Sequence, residues 1–347
     1  MKKTLLLFLL PFYCLAQIPE YYSTIDFTLT GDALKDELAE LITETHTTEL
    51  IYTPDVWNAL RQSDLDPDNP QNVLLFYGYN DTDNVVSNDR TRDVSLSCNR
   101  TGSCIGYWVR EHVYAQSLGE PDLEREGPGS DAHHLRAIDS QMNGSRNNRK
   151  FTAGSGNSHT LPGDLFYPGD EWKGDVARMM MYMYVRYQEQ CAATRVGTGS
   201  TDYSTFGDMP DIFLEWNVQD PVSQYERNRN TVLEGMQGNR NPFIDEPYLA
   251  TLIWNGPNAQ DNWQLLATEE YALNTLVVYP TVTTGKVYLQ NATAQAGYTY
   301  IVYNSLGQQA NMAVSNNEID IDNNAPGMYF INIKNGSATK TFKVILN

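Results

Sequence analysis

Three short segments carry most of the chemical information in this sequence: Arg110-Glu111-His112, residues 131–136 (DAHHLR) and residues 143–148 (NGSRNN). Together they place a carboxylate beside a histidine, a pair of histidines, and an amide followed by an arginine. Cleavage of a phosphodiester requires a base that activates water, a metal ion with its ligands, and a cation that holds the phosphate. Each of these functions has a candidate in the three segments.

The three segments are predicted to lie on two short strands and on the helix that follows them. Residues 107–109 form a strand that leads into Glu111 and His112, and residues 134–137 form a second strand. Residues 138–148 begin a helix that carries Asn143 and Arg146 on adjacent turns. Two strands and a helix in this order can each present one residue to a common point.

The candidate site residues have distinct predicted roles. His112 is the general base, because a neutral imidazole can take a proton from water near neutral pH. Glu111 and Asn143 offer hard oxygen ligands, which suit Mg²⁺, with Ca²⁺ or Mn²⁺ as alternatives, rather than zinc. Two protein ligands leave the other metal positions open for water and phosphate. Arg136 or Arg146 is predicted to hold the phosphate.

Each of these residues also has a purely structural explanation. A lone Glu-His pair occurs often by chance on a surface, Asn143 could belong to a turn, and Arg146 could be a solvated side chain. His133 could orient the site, or pair with His134 to bind zinc. Adjacent residues of a strand point to opposite faces, however, and do not easily share one metal. The order and spacing of the segments together favour the catalytic interpretation.

The N-terminal residues have the composition of a secretory signal peptide. Two lysines precede an apolar stretch, and Cys14-Leu15-Ala16 provides a small-residue cleavage site. The segment is too short for a membrane span. A lipoprotein signal, in which Cys14 would be acylated, is disfavoured by the bulky residues that precede it. We expect a protein that is exported through the periplasm, without stable membrane insertion.

Three cysteines remain after removal of this signal. Cys98 and Cys104 bracket a short polar loop, where a disulfide would suit an oxidising compartment. Cys191 ends an apolar helix and is predicted to be a buried thiol. Three thiols at these spacings do not make a zinc site.

The formal net charge of −19 argues against tight, sequence-specific binding of nucleic acid. Between residues 131 and 150, however, basic side chains outnumber acidic ones. A locally basic cleft on an acidic protein suits an enzyme that must both bind and release its substrate.

The rest of the N-terminal part is predicted to be mainly helical. The clearest helix covers residues 175–190, whose Met and Tyr side chains we interpret as core packing. Residues 73–77 are predicted to form a buried strand, and the Gly- and Ser-rich residues 151–169 an Ω-type loop. Further helices are expected over residues 34–42, 53–60, 214–234 in two pieces broken at Asp220-Pro221, and 248–254.

Composition changes after residue 254. Residues 255–274 are polar and weakly patterned, which is typical of a linker. From residue 276 onward apolar and polar residues alternate, and glycine-containing turns separate short segments. This pattern predicts a small antiparallel β-sandwich, which contains no histidine. The predicted fold class is therefore α+β, with a mainly helical part followed by the sandwich.

These segments resemble the endonuclease I family of secreted bacterial nucleases, which carry a ββα-metal (His-Me) finger. The resemblance implies metal-dependent cleavage of DNA, often of RNA too, with little sequence preference. It matches His112 to the family's general base, and Glu111 and Asn143 to its metal ligands. The family's phosphate-binding arginine has no clear match, because residues 118–130, where some members carry it, are short and acidic here. The similarity covers roughly residues 18–254 and rests on residues 74–77, 108–117, 131–151, 173–178, 182–183 and 238–245.

The C-terminal segment resembles the type A sorting domain of the type IX secretion system. The similar residues are Val278-Tyr279-Pro280, residues 327–331 and residues 340–346. The resemblance implies that the type IX machinery is a partner, and that the domain is removed on export across the outer membrane. We expect a monomer with a signal peptide (residues 1–16), a nuclease domain (17–254), a linker (255–274) and a sorting domain (275–347).

Three other functions compete with a nuclease. A metal-dependent phosphodiesterase that acts on another extracellular phosphate ester is the closest alternative. A non-catalytic nucleic-acid-binding protein would be expected to lack His112 or Asn143, and both are present. A calcium-dependent adhesin would owe its acidity to ion sites, but the sequence has no calcium-loop repeat.

Overall fold

The computed structural model describes residues 18–100, 102–265, 273, 276–290, 298–315, 317–335 and 338–347. The predicted signal peptide and much of the second half of the predicted linker lie outside the described residues. Among the described residues, no helix combines the length and the apolar character that a membrane span requires.

The predicted helices are present, with bounds shifted by a few residues. The α4 helix is the centre of the core, since every residue from Gly174 to Val185 is buried, as its Met and Tyr content predicts. Between α5 and α6 the chain breaks at Asp220-Pro221, and Ser223 then caps α6 in a reciprocal capping box with Glu226. The helices are α1 (Gly31–Glu44), α2 (Asp55–Ser63), α3 (Ser140–Arg146), α4 (Lys173–Tyr187), α5 (Asp211–Gln219), α6 (Gln224–Gln237), α7 (Pro242–Asp245) and α8 (Tyr248–Trp254).

Among the described residues, short strands lie between these helices and form three small sheets. In the first, β1 pairs antiparallel with β2; in the second, β3 pairs antiparallel with β4; the third has the order β5-β7-β6. The strands are β1 (Asn72–Leu74), β2 (Thr91–Asp93), β3 (Trp108–His112), β4 (Leu135–Asp139), β5 (Lys150–Phe151), β6 (His159–Leu161) and β7 (Leu165–Tyr167).

Two local predictions need correction. Residues 151–169 are not a structureless loop, because β6 and β7 lie within them and pair with each other. The strand predicted over residues 73–77 ends at Leu74, because the backbone of Tyr77 turns into the left-handed region (φ 65°). Beyond the strand, the amide of Phe76 donates to the carbonyl of Ala137, which ties this turn to β4.

Apolar side chains cover both faces of the β3-β4 pair. Leu135 and Ala137 pack in a small cluster with Trp57 and Leu60 of α2. Ile138, which points to the opposite face, packs in the large cluster around α4. A two-stranded sheet alone is marginally stable in water, so this double cover is what fixes the hairpin in place.

The first half of the predicted linker packs on the N-terminal part instead of extending away from it. The Trp263 ring lies 4.7 Å from the ring of Tyr22 and 5.4 Å from that of Phe27, measured between centroids. The Trp263 amide also donates to Glu246. Composition could not reveal this, since one buried tryptophan fixes an otherwise polar stretch.

Cys98 and Cys104 form a disulfide, a pairing that the sequence alone left open. Cys191 is a buried free thiol, as predicted. The disulfide loop contacts the start of α3, because the Ser140 hydroxyl donates to the carbonyl of Cys104 over 2.6 Å.

The C-terminal part is the predicted β-sandwich. Within the described residues, its two four-stranded sheets have the orders β12-β13-β10-β8 and β11-β14-β15-β9, and side chains of both sheets share one apolar core. One pair departs from the antiparallel prediction, since β9 runs parallel to the end of β15. The strands are β8 (Val277–Tyr279), β9 (Val282–Thr283), β10 (Lys286–Gln290), β11 (Thr299–Asn304), β12 (Ala313–Ser315), β13 (Glu318–Asp320), β14 (Gly327–Asn335) and β15 (Ala338–Leu346).

Candidate active site

A cleft of about 580 Å³ lies where the end of β3 meets α3. Glu111 and His112 are the last two residues of β3, and α3 contributes Asn143 and Arg146 to the same cleft. The hairpin register places Glu111 opposite Arg136. The structure therefore brings together the predicted base and both predicted metal ligands.

His112 is held in one tautomer by a backbone carbonyl. Its Nε2 lies 2.9 Å from the carbonyl oxygen of Gly129. A carbonyl can only accept, so Nε2 carries the hydrogen and the neutral ring keeps its lone pair on Nδ1. Burial, reinforced by the nearby His134, lowers the pKa of His112 to about 3, which keeps the ring neutral at pH 7. The Tyr52 ring stacks against His112 with centroids 5.4 Å apart.

The turn that carries this carbonyl, Gly127–Ser130, is itself held by a second histidine. Nε2 of the buried His134 lies 2.7 Å from the carbonyl oxygen of Pro128. Position 129 also requires glycine, because a Cβ there would lie 1.6 Å from the carbonyl oxygen of Glu124. Two imidazoles thus bind two consecutive carbonyls of one closely packed turn.

Glu111 is a buried carboxylate with little compensation for its charge. Its Oε1 lies 3.4 Å from Nε of Arg146 and 3.5 Å from the hydroxyl of Tyr77. Burial raises the pKa of Glu111 to about 7, although Arg146 opposes the shift. A cation in the cleft would stabilise the ionised form, so the environment of Glu111 fits a metal ligand.

Both terminal nitrogens of Arg146 donate to backbone carbonyls of the protein. Nη1 donates to the carbonyls of His112 (3.2 Å) and Asn147 (2.9 Å), and Nη2 donates to the carbonyl of Val113 (2.6 Å). The side chain is fully buried. These contacts make Arg146 a clamp on the end of β3 beside Glu111, and they do not support the phosphate-binding role predicted for it.

The prediction that Arg136 holds the phosphate is contradicted by its position. Arg136 is fully buried and does not line the cleft. Its guanidinium pairs with Asp64 (3.3 Å) and Asp175 (3.1 Å) and donates to the hydroxyl of Tyr225 (2.9 Å). Because these carboxylates already balance its charge, Arg136 serves the core.

His133 lies outside the cleft as well. Its Nε2 lies 3.1 Å from the carbonyl of Asn239, and its ring packs on Tyr182. His133 and His134 bind carbonyls on different segments, which rules out the zinc pair in this arrangement. Among the described residues, no group of three or more His, Cys, Asp or Glu side chains is placed to bind a metal. A site built on Glu111 and Asn143 would instead combine one carboxylate with one amide oxygen and leave its other positions to water and substrate.

Two residues that line the cleft, Tyr52 and Arg110, and one that lies beside it, Arg125, were given no role in the sequence analysis. The Arg110 guanidinium lies 3.5 Å from the centroid of the Tyr52 ring and donates to Thr53. The exposed Arg125 lies 5.7 Å from the same ring, and within the described residues it forms no ion pair. The sequence offered a signal for Arg125, because an arginine within the acidic stretch 118–130 is a candidate for binding phosphate. The sequence did not indicate that Tyr52 lies beside His112, because α2 and the disulfide loop separate the two residues along the chain.

Residues 30–248 match the Endonuclease I family. The chain belongs to this family. Residues 277–347 of this endonuclease I family protein match a second family, the secretion system C-terminal sorting domain.

Two named relatives are similar over the nuclease part. The extracellular ribonuclease of Bacillus subtilis (strain 168) is 41% identical over 238 residues, which cover 65% of this chain and 75% of the relative. The extracellular ribonuclease of Bacillus amyloliquefaciens is also 41% identical over 238 residues, with the same coverage. Together with the family matches, these similarities confirm both resemblances and identify a secreted nuclease, which is a phosphodiester hydrolase.

Proposed function

We propose that this protein is a metal-dependent endonuclease that hydrolyses phosphodiester bonds in DNA and RNA with little sequence preference. The observation that carries the proposal is the bond from His112 Nε2 to the Gly129 carbonyl, which leaves Nδ1 to accept a proton in the cleft that Glu111 and Asn143 also line. RNA as a substrate is supported by the two relatives that are named extracellular ribonucleases.

We assign Glu111 and Asn143 as the protein ligands of a divalent cation, with Mg²⁺ as the preferred ion and Ca²⁺ or Mn²⁺ as alternatives. When bound, the metal would stabilise negative charge on the phosphate. In this proposal β3, β4 and α3 are the two strands and the helix of a ββα-metal finger. Their order along the chain and the antiparallel pairing of β3 with β4 support the assignment.

His112 acts as the general base. Its Nδ1 takes a proton from water while the water oxygen forms a bond to phosphorus and the ester oxygen leaves, taking a proton from solvent. Before the substrate binds, burial keeps the ring neutral. The negative phosphate then favours the imidazolium, and the Nε2–H bond to Gly129 keeps the ring in place as it becomes charged.

We propose Arg125 as the cation that holds the phosphate, in place of Arg136 and Arg146. Arg125 is exposed and without an ion pair among the described residues, and it contacts Tyr52, whose ring stacks on His112. A guanidinium with free donors can bind two phosphate oxygens at once.

We further propose that the C-terminal sandwich is a separate sorting domain that engages the type IX secretion machinery and contributes nothing to catalysis. Its apolar core shares no residue with the nuclease core in the described part of the chain. We assign residues 17–265 to the nuclease domain, place the linker after them, and propose a monomer.

The test is degradation of plasmid DNA and of RNA by the purified protein, with Mg²⁺ and after complete metal removal by EDTA. We expect cleavage of both substrates with Mg²⁺, no cleavage in EDTA, and recovery when Mg²⁺ is restored. His112→Ala, purified in the same way, controls for contaminating nucleases. Full activity without metal would contradict the metal role, and inactivity on both polymers would contradict the nucleic-acid substrate.

A further inference from the structure

A second pocket, of about 380 Å³, shares the Tyr52 side chain with the catalytic cleft. Residues 49–53 form one side of it, and residues 125–127 with Ser130 form the other. We propose that this pocket binds the nucleoside next to the scissile phosphate, an inference that rests on the proposed function. Its volume lies within the range of small-molecule sites, roughly 300–1,000 Å³.

An exposed apolar side chain stands at the wall of this pocket. Ile51 is 64% exposed, yet its backbone is fixed, because its amide donates to the Asp55 carboxylate and its carbonyl accepts from the Asp55 amide. The chain thus presents Ile51 to solvent at a defined position beside Tyr52. Apolar and aromatic side chains of this kind pack against the faces of nucleobases without regard to base identity.

The charges around the pocket favour a nucleoside over a second phosphate. Glu49 and Glu126 line it, and among the described residues neither side chain forms an ion pair. Carboxylates repel phosphate but accept hydrogen bonds from the amino groups of bases and from ribose hydroxyls. Arg125 also lines the pocket, at its Tyr52 side. A nucleotide with its phosphate on Arg125 would therefore place its base against Ile51 and its polar edges near the two carboxylates.

The experiment compares two pocket variants with two matched controls. Ile51→Ala and Glu126→Gln alter the pocket. Ile105→Ala removes a similarly exposed isoleucine (62%) that directly follows the disulfide loop, and Glu124→Gln removes a neighbouring exposed carboxylate that does not line the pocket. The substrates are a mixed-sequence single-stranded RNA oligonucleotide and bis(p-nitrophenyl) phosphate, a diester that contains no nucleoside.

We expect each pocket variant to raise KM for the RNA by roughly 3- to 10-fold, a fraction of what one stacked base contributes. Hydrolysis of bis(p-nitrophenyl) phosphate should stay within about twofold of wild type, and the controls should match wild type on both substrates. Glu126→Gln should also shift the preferred cleavage positions in the RNA, because an amide both donates and accepts.

Unchanged RNA kinetics in both pocket variants would overturn the subsite. Equal losses on the two substrates would overturn it as well, because the effect would then lie in the cleft. Wild-type protein that cleaves neither substrate with Mg²⁺ would instead contradict the proposed function. Melting temperatures of all four variants establish that each is folded before its kinetics are compared.

Discussion

Gly129 supplies the acceptor that orients His112, and His134 holds the same turn through the neighbouring carbonyl of Pro128. Single side chains in this cleft therefore act largely through backbone groups. Arg146 follows the same rule, because it binds three carbonyls around the end of β3. Substitutions here should separate residues that react from residues that position them.

We expect His112→Ala to lower kcat by roughly two to four orders of magnitude, the usual contribution of a general base. Affinity for nucleic acid and for Mg²⁺ should change little. Asn143→Ala should instead raise the Mg²⁺ concentration needed for half-maximal activity, because it removes a proposed ligand. Initial rates of plasmid nicking across a magnesium titration distinguish the two effects, and wild-type rates for His112→Ala would show that the base is another residue.

We expect His134→Ala to lower kcat by up to about 100-fold with KM nearly unchanged, since a displacement of about 1 Å can have this effect on a reacting group. His134→Gln should recover part of the loss, because its side-chain amide can still donate to Pro128. His159→Ala is the control, since His159 is exposed on β6 and distant in sequence from the turn. If His134→Ala raised KM as strongly as it lowered kcat, the result would argue for general disruption of the cleft.

Burial raises the pKa of Glu111 from 4.5 to about 7, and this makes magnesium binding depend on pH. Without metal, this group favours the folded state below its unfolded pKa and loses that contribution as pH rises through about 7. Mg²⁺ should therefore raise the melting temperature more at about pH 8 than at about pH 5.5, where Glu111 is protonated. Thermal shift assays with Glu111→Gln, in which the magnesium effect should vanish at both values, check the assignment.

At the scale of residues, the sequence pointed to the groups for which we propose base and metal-ligand roles, and it missed the residues that support them. Glu111, His112 and Asn143 were recognisable because their spacing places them on two adjoining elements. The sequence could not show whether Arg136 and Arg146 bind phosphate or support the structure. The answer depends on buried partners such as Asp64, which is distant in sequence. The stacking of Tyr52 on His112 could not be predicted either, because the two residues are also distant in sequence.

Among the elements, α3 depends on a capping residue that has two tasks. Asp139 Oδ1 accepts from the amides of Gln141 and Met142, while Oδ2 accepts from the buried guanidinium of Arg92. We expect Asp139→Ala to reduce the free energy of unfolding by about 2 kcal/mol, because the loss of a cap is joined by the loss of one of the two carboxylates, Asp139 and Asp89, that pair with the buried Arg92. Asp139→Asn keeps the cap and should be milder, and urea unfolding of both variants measures the difference. Wild-type stability in both variants would show that neither the cap nor the bond to Arg92 contributes to stability.

The helices were predicted well because their apolar residues recur with helical period. The pairing of β6 with β7 was missed, since strands this short have no periodicity of their own and form only through partners elsewhere in the fold. In the sandwich, the alternating pattern predicts strands over residues 277–279, 286–289, 298–303, 328–333 and 340–346, which correspond to β8, β10, β11, β14 and β15. The short β9, β12 and β13 were not predicted.

In the molecule as a whole, the nuclease body extends past α8 to include Trp263. A truncated protein that ends at residue 270 should keep wild-type stability and specific activity. One that ends at residue 254 should lose about 3–5 kcal/mol of unfolding free energy, the usual cost of removing a buried tryptophan. Urea unfolding and plasmid cleavage compare the two proteins, and inactivity of the longer one would show that the sandwich supports the nuclease.

In the native organism, the protein that ends at residue 270 should accumulate in the periplasm as active enzyme, because it lacks the proposed sorting domain. Nuclease activity in culture medium and in periplasmic extracts measures this. Normal release of the truncated protein would remove the sorting role from the sandwich.

The disulfide has a consequence for oxidative folding that is independent of the cleft. Cys98 and Cys104 are separated by only six positions, whereas Cys191 lies far along the chain. The effective concentration of one thiol near another falls as the intervening loop lengthens, so the native pair is favoured even in an unfolded chain. Once α4 packs, the remaining thiol is buried and cannot exchange. A chain that folds after crossing a membrane can thus select its correct disulfide by proximity alone.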